Sequence, residues 1–139
     1  MTPPPEYQRA TDHFYAFLAD VRDIAGFTTS NPAYTTTQAV FQTFRRRFDL
    51  RDAIRFATVL PVGLRALFVA EWDPDEPRRE FEDVATMTNE IQSLRPNHNY
   101  SPDTAIRDVA RALRMHVREN EFDEVLSQLP AAAAEFWQV

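Results

Sequence analysis

Cysteine is absent from the 139 residues, which removes disulfides, thiolate metal sites and cysteine nucleophiles from consideration. Lysine is absent too, so all 15 basic residues are arginine, and neither Schiff-base chemistry nor a phosphate-loop lysine is available. Only two glycines occur, leaving few places for tight hairpins or glycine-rich phosphate loops. No apolar run approaches the ~18 residues a membrane span requires. The opening Met-Thr-Pro-Pro-Pro-Glu has no charged segment leading into an apolar one, so no signal peptide is expected. A cytoplasmic protein that does not enter a membrane is the expectation.

What is present points to helices. Hydrophobic residues make up 44% of the chain and aromatic residues 12%, enough for a core at a length that suits one domain. The net charge is −6, and it is unevenly spread. Residues 1–70 hold 8 Arg against 6 acids, whereas residues 71–139 hold 7 Arg against 15 acids. An acidic total disfavours nucleic acid as a partner, and the difference in sign between halves suits docking of one half on the other.

The stretch from Phe56 through Leu60-Pro61 to Phe68 returns as Val125 through Leu129-Pro130 to Trp137, 69 positions later. Each copy predicts a short helix stopped by a Leu-Pro pair, with a second short helix beyond it. The chain therefore divides into a first helical unit over 1–72, a Pro-rich connector over 73–77 (Asp73-Pro74-Asp75-Glu76-Pro77) and a second unit over 78–139. Within the first unit, Phe14, Phe17, Leu18, Val21 and Ile24 recur at helical spacing and predict a helix over 6–25, closed by a left-handed Gly26 with Phe27 folded back. Asn31-Pro32 predicts the cap and first residue of the next helix, with Val40, Phe41, Phe44 and Phe48 as its buried stripe. Asp49 ends that helix or caps the third. In the second unit, Phe81, Val84, Ala85, Ile91 and Leu94 match the first stripe at an offset of 67, Ser101-Pro102 answers Asn31-Pro32, and Asn120 is the expected cap of the third helix. The expected fold is all-α: a duplicated unit of long, long, short and short helices, about eight in one domain.

Several of these segments also carry a resemblance. Phe17-x3-Val21-x4-Gly26-Phe27, the run Val40-Phe41-Gln42-Thr43-Phe44-Arg45-Arg46-Arg47-Phe48, Leu60-Pro61-x2-Leu64-Arg65, Trp72-Asp73-Pro74 and Val125-Leu126-Ser127-Gln128-Leu129-Pro130 are similar to a bacterial family of duplicated all-helical proteins, a domain of unknown function. The resemblance covers nearly the whole chain. It implies the fold and the duplication, and brings no activity, cofactor or catalytic residue with it.

Candidate chemistry is sparse. His13, His98 and His116 have no histidine or carboxylate partner at metal-ligand helical spacing, and each is expected to be structural or superficial. The carboxylates around Asp73–Asp83 lack the alternating ligands and glycine of a calcium loop. Those at Glu119, Glu121, Asp123 and Glu124 suit a helix N-terminus. No Gly-x-Ser-x-Gly elbow accompanies the serines and threonines. Neither a catalytic residue nor a cofactor or metal site is expected. Arg45, Arg46 and Arg47 spread over about 200° of a helix, which suits ion pairing with the acidic half or another subunit better than reading a groove. With Trp72 and Trp137, both expected on the surface, they form the candidate interaction surface. The leading expectation is a non-catalytic module that binds a protein partner or itself. A small-ligand binder using a cleft between the two units is the alternative, and a carboxylate-based enzyme with His98 or His116 ranks last.

Overall fold

A computed structural model describes residues 2–94 and 101–139. His98 lies outside the described residues. Within them the chain is all-helical, with nine helices and no strand. These are α1 (Pro5–Gln8), α2 (Ala10–Ala25), α3 (Ser30–Arg45), α4 (Leu50–Thr58), α5 (Val62–Val69), α6 (Val84–Ser93), α7 (Ala105–Arg114), α8 (Glu119–Ser127) and α9 (Ala131–Phe136).

The first helix expected over 6–25 is interrupted at Arg9, whose φ of −105° and ψ of 12° leave the helical region. It ends as expected: Gly26 is left-handed at φ 78°, and the Phe27 N–H reaches back to the Arg22 carbonyl at 2.9 Å. The second helix begins earlier than its Asn-Pro pair suggested, with Thr29 as the capping residue and Pro32 inside the first turn. Proline is tolerated there because the first-turn N–H groups have no intrahelical acceptor. Helix α3 then becomes the centre of the molecule. It touches α2, α5, α6 and α7, and its polar side chains are buried along with its apolar ones. Thr37 donates to the Ala33 carbonyl at 2.8 Å, and the Thr36 and Ser101 hydroxyls share a hydrogen bond at 2.9 Å.

Both Leu-Pro pairs break helices with the same local geometry. Leu60 and Leu129 close a tight turn onto residues three earlier, at 3.1 and 3.2 Å. Pro61 (φ −54°, ψ 153°) and Pro130 (φ −52°, ψ 146°) then cap α5 and α9 rather than opening them. Both leucines are buried. Asp49 caps α4, its Oδ1 accepting the Asp52 N–H at 2.9 Å.

The second half departs from expectation. The non-helical segment before α6 runs over 70–83, and α6 starts only after Asp83, which accepts hydrogen bonds from the Thr86 N–H and hydroxyl. Val84 and Ala85, expected inside, are exposed; Met87, Thr88 and Ile91 are the buried positions. The apolar stripe sits one turn later because Phe81 leaves the helix and packs on Phe44 and Phe48 from the preceding segment. Helix α7 likewise starts at Ala105, with Ser101 buried against α3 instead of capping. Arg118, not Asn120, precedes α8. The long, long, short, short order holds for α2 to α5, whereas α6 to α9 have 10, 10, 9 and 6 residues.

The two halves interlock. Helix α2 packs on α7, α6 packs on α3, and α4 lies against α8. Between them Phe41, Phe44, Phe56, Phe122 and Phe136 surround Trp137, with Phe56 stacked on the indole at 5.6 Å.

Candidate functional site

Of the expected surface residues, Arg45, Arg47 and Trp137 are buried, and Arg46 and Trp72 are half-buried. Trp137 is 0% exposed, because α9 folds inward after Pro130 and drives the ring into the aromatic centre. Its indole N–H has no partner among the described residues. Arg45 is also buried and donates to the carbonyls of Phe68, Ala70 and Glu71 at 2.9, 2.7 and 3.3 Å. It thus serves the C-terminal end of α5, whose last carbonyls lack intrahelical donors, and braces Glu71, which has a left-handed φ of 56°. Burial pulls the Arg45 pKa below its ordinary value; Glu76 pulls against that, Arg46 reinforces it and Glu71 opposes it. Trp72 is half-buried beneath the same guanidinium, 5.3 Å from ring to charge, a cation–π contact.

Arg46 and Arg47 turn toward the acidic half. Glu90 on α6 receives Arg47 at 2.8 Å, Arg46 at 3.3 Å and Arg79 at 2.6 Å. Glu76 pairs with Arg46 at 2.5 Å and Glu82 with Arg47 at 3.4 Å. Three guanidinium groups thus face three carboxylates, and the Arg47 side chain is only 1% exposed. The cluster is internally neutral, buried at Arg47 and Glu90 and half exposed at its rim of Arg79 and Glu82, and it fastens α6 and the 70–83 segment to α3.

A second junction between the halves is open. A cleft of about 710 Å³ lies where the lead-in and α1, the start of α2, the α4–α5 link and the α7–α8 link converge. That volume falls in the range of small-molecule sites. Its apolar wall comes from Val59, Leu60, Pro61, Val62 and Val117, gathered where the Leu-Pro break turns the chain. Its polar groups are Glu6, His13, Arg65, His116, Arg118 and Glu121. Arg65 is anchored by the same break: its Nε donates to the Leu60 carbonyl at 2.8 Å, and Nη2 lies 3.4 Å from Glu6. His116, just beyond α7, has Nε2 at 2.5 Å from Asp20 Oδ2 and rests edge-on against Phe17, ring centres 5.7 Å apart.

His13, Phe17 and Asp20 fall at helical spacings of four and three, so one face of α2 supplies a cleft residue, the packing surface for His116 and its carboxylate partner. That alignment is visible in the sequence. The pairing of Asp20 with His116, 96 positions apart, is not.

The pattern of one family, described as an uncharacterized conserved protein (DUF2267), matches residues 14–136. The chain belongs to this family. No curated protein matches it. In this DUF2267 chain the matched span contains the interlocked helices and most of the cleft, while Pro4, Pro5, Glu6 and His13 precede it. Among the described residues no three His, Cys, Asp or Glu side chains gather as a metal ion would need, and no helix is long and apolar enough to cross a membrane.

Proposed function

We propose that the protein is a non-catalytic binder of a small molecule, held in the cleft between two copies of a duplicated helical unit. The observation that carries this reading is the contrast between the two junctions. Arg47 and His116 are 69 positions apart, Asp20 and Glu90 are 70 apart, and so are Glu6 and Glu76. In the duplication reading, the Arg47–Glu90 contact is therefore the counterpart of the His116–Asp20 contact. At the first junction guanidinium groups fill the space and consume the carboxylates; at the second, Met115 and His116 stand in place of Arg46 and Arg47, and Met115 points outward at 63% exposure. The space left is the cleft. A cytoplasmic location is part of the same proposal.

Native mass spectrometry of the freshly purified chain and thermal melts against a metabolite panel test this reading. A ligand at a hundred times its Kd adds about 2.7 kcal/mol to stability, well within reach of a melt. Absence of both a retained mass and any thermal shift argues against the cleft as a ligand site.

Binding of a protein partner or self-association is the second reading. Leu50 and Ile54, 68% and 56% exposed one turn apart on α4, favour it. Sedimentation at rising concentration is expected to show association that Ile54→Glu abolishes, and a concentration-independent monomer removes the self-association form of the idea.

A further inference from the structure

The state of one imidazole narrows the class of ligand. An ionised carboxylate can only accept hydrogen bonds, so the 2.5 Å contact with Asp20 places the His116 proton on Nε2. In the neutral ring Nδ1 then carries a lone pair and acts as an acceptor. Phe17, with its ring at 79° to the imidazole, limits rotation away from that arrangement. Nδ1 has no hydrogen-bond partner among the described residues and is not one of the sealed, unpartnered atoms. His116 is part of the cleft wall and its side chain is 18% exposed, so with Nε2 held by Asp20 the ring atom left to meet a ligand is Nδ1.

Arg65 supplies the complementary group. With Nε spent on the Leu60 carbonyl and Nη2 only loosely placed by Glu6, the outer edge of the guanidinium is held in position, with its side chain 31% exposed. A planar donor edge of this kind suits a carboxylate or a phosphate. Val59, Pro61 and Val117 give the same cleft apolar lining.

We propose that the cleft takes a small anion bearing a hydroxyl or amine, its donor on His116 Nδ1 and its carboxylate or phosphate on the Arg65 guanidinium. This rests on reading the cleft as a ligand site. A purely apolar ligand would strip water from both groups and return no hydrogen bond, and a simple cation would meet Arg65 as a like charge.

The test uses the full chain with nitrogen-15 histidine and arginine, titrated with four probes: serine, propionate, glycerol 3-phosphate and methyl phosphate. In the free protein His116 is expected to read as the Nε2–H form. Serine or glycerol 3-phosphate should shift His116 Nδ1 and the Arg65 side chain together, and bind about tenfold or more tighter than the probe of the same acid type without the hydroxyl or amine. Which of the two binds more tightly distinguishes carboxylate from phosphate. Arg65→Gln and His116→Ala should each weaken binding by a similar factor; Arg51→Gln, with Arg51 exposed on α4 and outside the cleft lining, controls for general charge and should change it little. A proton on Nδ1, equal binding of the two probes within either acid type, or unchanged binding in His116→Ala overturns the proposal. No binding by any of the four also overturns this ligand class, while a retained mass or a melt shift with some other compound would leave the cleft itself standing.

Discussion

Removing Glu90 is the sharpest test of how the two halves are fastened. Its side chain is 9% exposed and meets three guanidinium groups, at 2.6, 2.8 and 3.3 Å. Glu90→Ala leaves Arg47, itself 1% exposed, with the Thr43 carbonyl at 2.6 Å and the distant Glu82 at 3.4 Å. Breaking a buried pair from one side typically costs about 3–5 kcal/mol, because the remaining charge stays buried without its partner. That is a large part of the 5–15 kcal/mol that commonly holds a domain. Alanine is a better helix former than glutamate, so the loss cannot be assigned to propensity. Glu82→Ala provides the internal control: its side chain is 44% exposed, and a pair of that kind contributes about 0.2–1 kcal/mol. In the double variant Arg47→Met, Glu90→Leu the buried cation goes with its partner, and it should recover part of the loss, with a coupling of about 1–3 kcal/mol. Urea unfolding of the wild-type chain, Glu90→Ala, Glu82→Ala, the single variants Arg47→Met and Glu90→Leu, and the double variant measures all three quantities. A loss below about 1 kcal/mol for Glu90→Ala, or equal losses at Glu90 and Glu82, would refute the picture of a buried Arg47–Glu90 pair that fastens the two halves.

Other perturbations probe the backbone and the core. Leu60→Ala should cost about 2–5 kcal/mol and Leu129→Ala a similar but smaller amount, since Leu129 is 8% exposed against 1%; a loss under about half a kcal/mol at Leu60 on denaturant melts would contradict its place in the core. The two glycines should respond for different reasons. Gly26→Ala meets no atom within 4 Å but must hold φ 78°, costing about 1 kcal/mol, whereas Gly63→Ala sets a methyl 3.0 Å from the Phe14 ring and should cost about 1–3 kcal/mol by forcing α2 and α5 apart. Equal, negligible effects on melts would show that neither constraint operates. The Asp83 cap predicts a pH dependence: hydrogen bonding from Thr86 holds its carboxyl below the ordinary aspartate value, so its contribution is present above about pH 4 and is lost as pH falls through the depressed value. The stability difference between the wild-type chain and Asp83→Asn should therefore close on acidification, and a widening gap would reverse the sign of the argument.

Elements whose signal is local were legible in the sequence. Gly26 announces its left-handed end, Asp49 its cap, and Leu60-Pro61 and Leu129-Pro130 their breaks, because each depends on a residue and its immediate neighbours. The register of α6 was not. Phe81 has the spacing of a helical stripe, yet tertiary packing against Phe44 and Phe48 draws it out of the helix and moves burial to Met87 and Ile91. Arg46 and Arg47 make the expected ion pairs with the acidic half, but the depth of the arginines was misread for a similar reason. Arginine is exposed by default, and nothing near Arg45 or Arg47 in sequence announces that carbonyls at 68–71 or a glutamate at 90 will receive them. Trp137 looked peripheral because it stands near the end of the chain, but position along a chain says little about depth. Of the cleft, the shared α2 face of His13, Phe17 and Asp20 could have been read in advance; its meeting with His116 required the fold.

The burial of Trp137 sets an order of events during synthesis. The ring touches five phenylalanines from α3, α4, α8 and α9 and follows every one of them along the chain, so the centre of the protein stays unfinished until α9 has been made and has left the ribosome. Until α9 emerges, Phe41, Phe44 and Phe56 face a vacancy that water or a chaperone must fill. A nascent chain stalled with residues 131–139 still in the exit tunnel should therefore be open to proteases that the released protein resists.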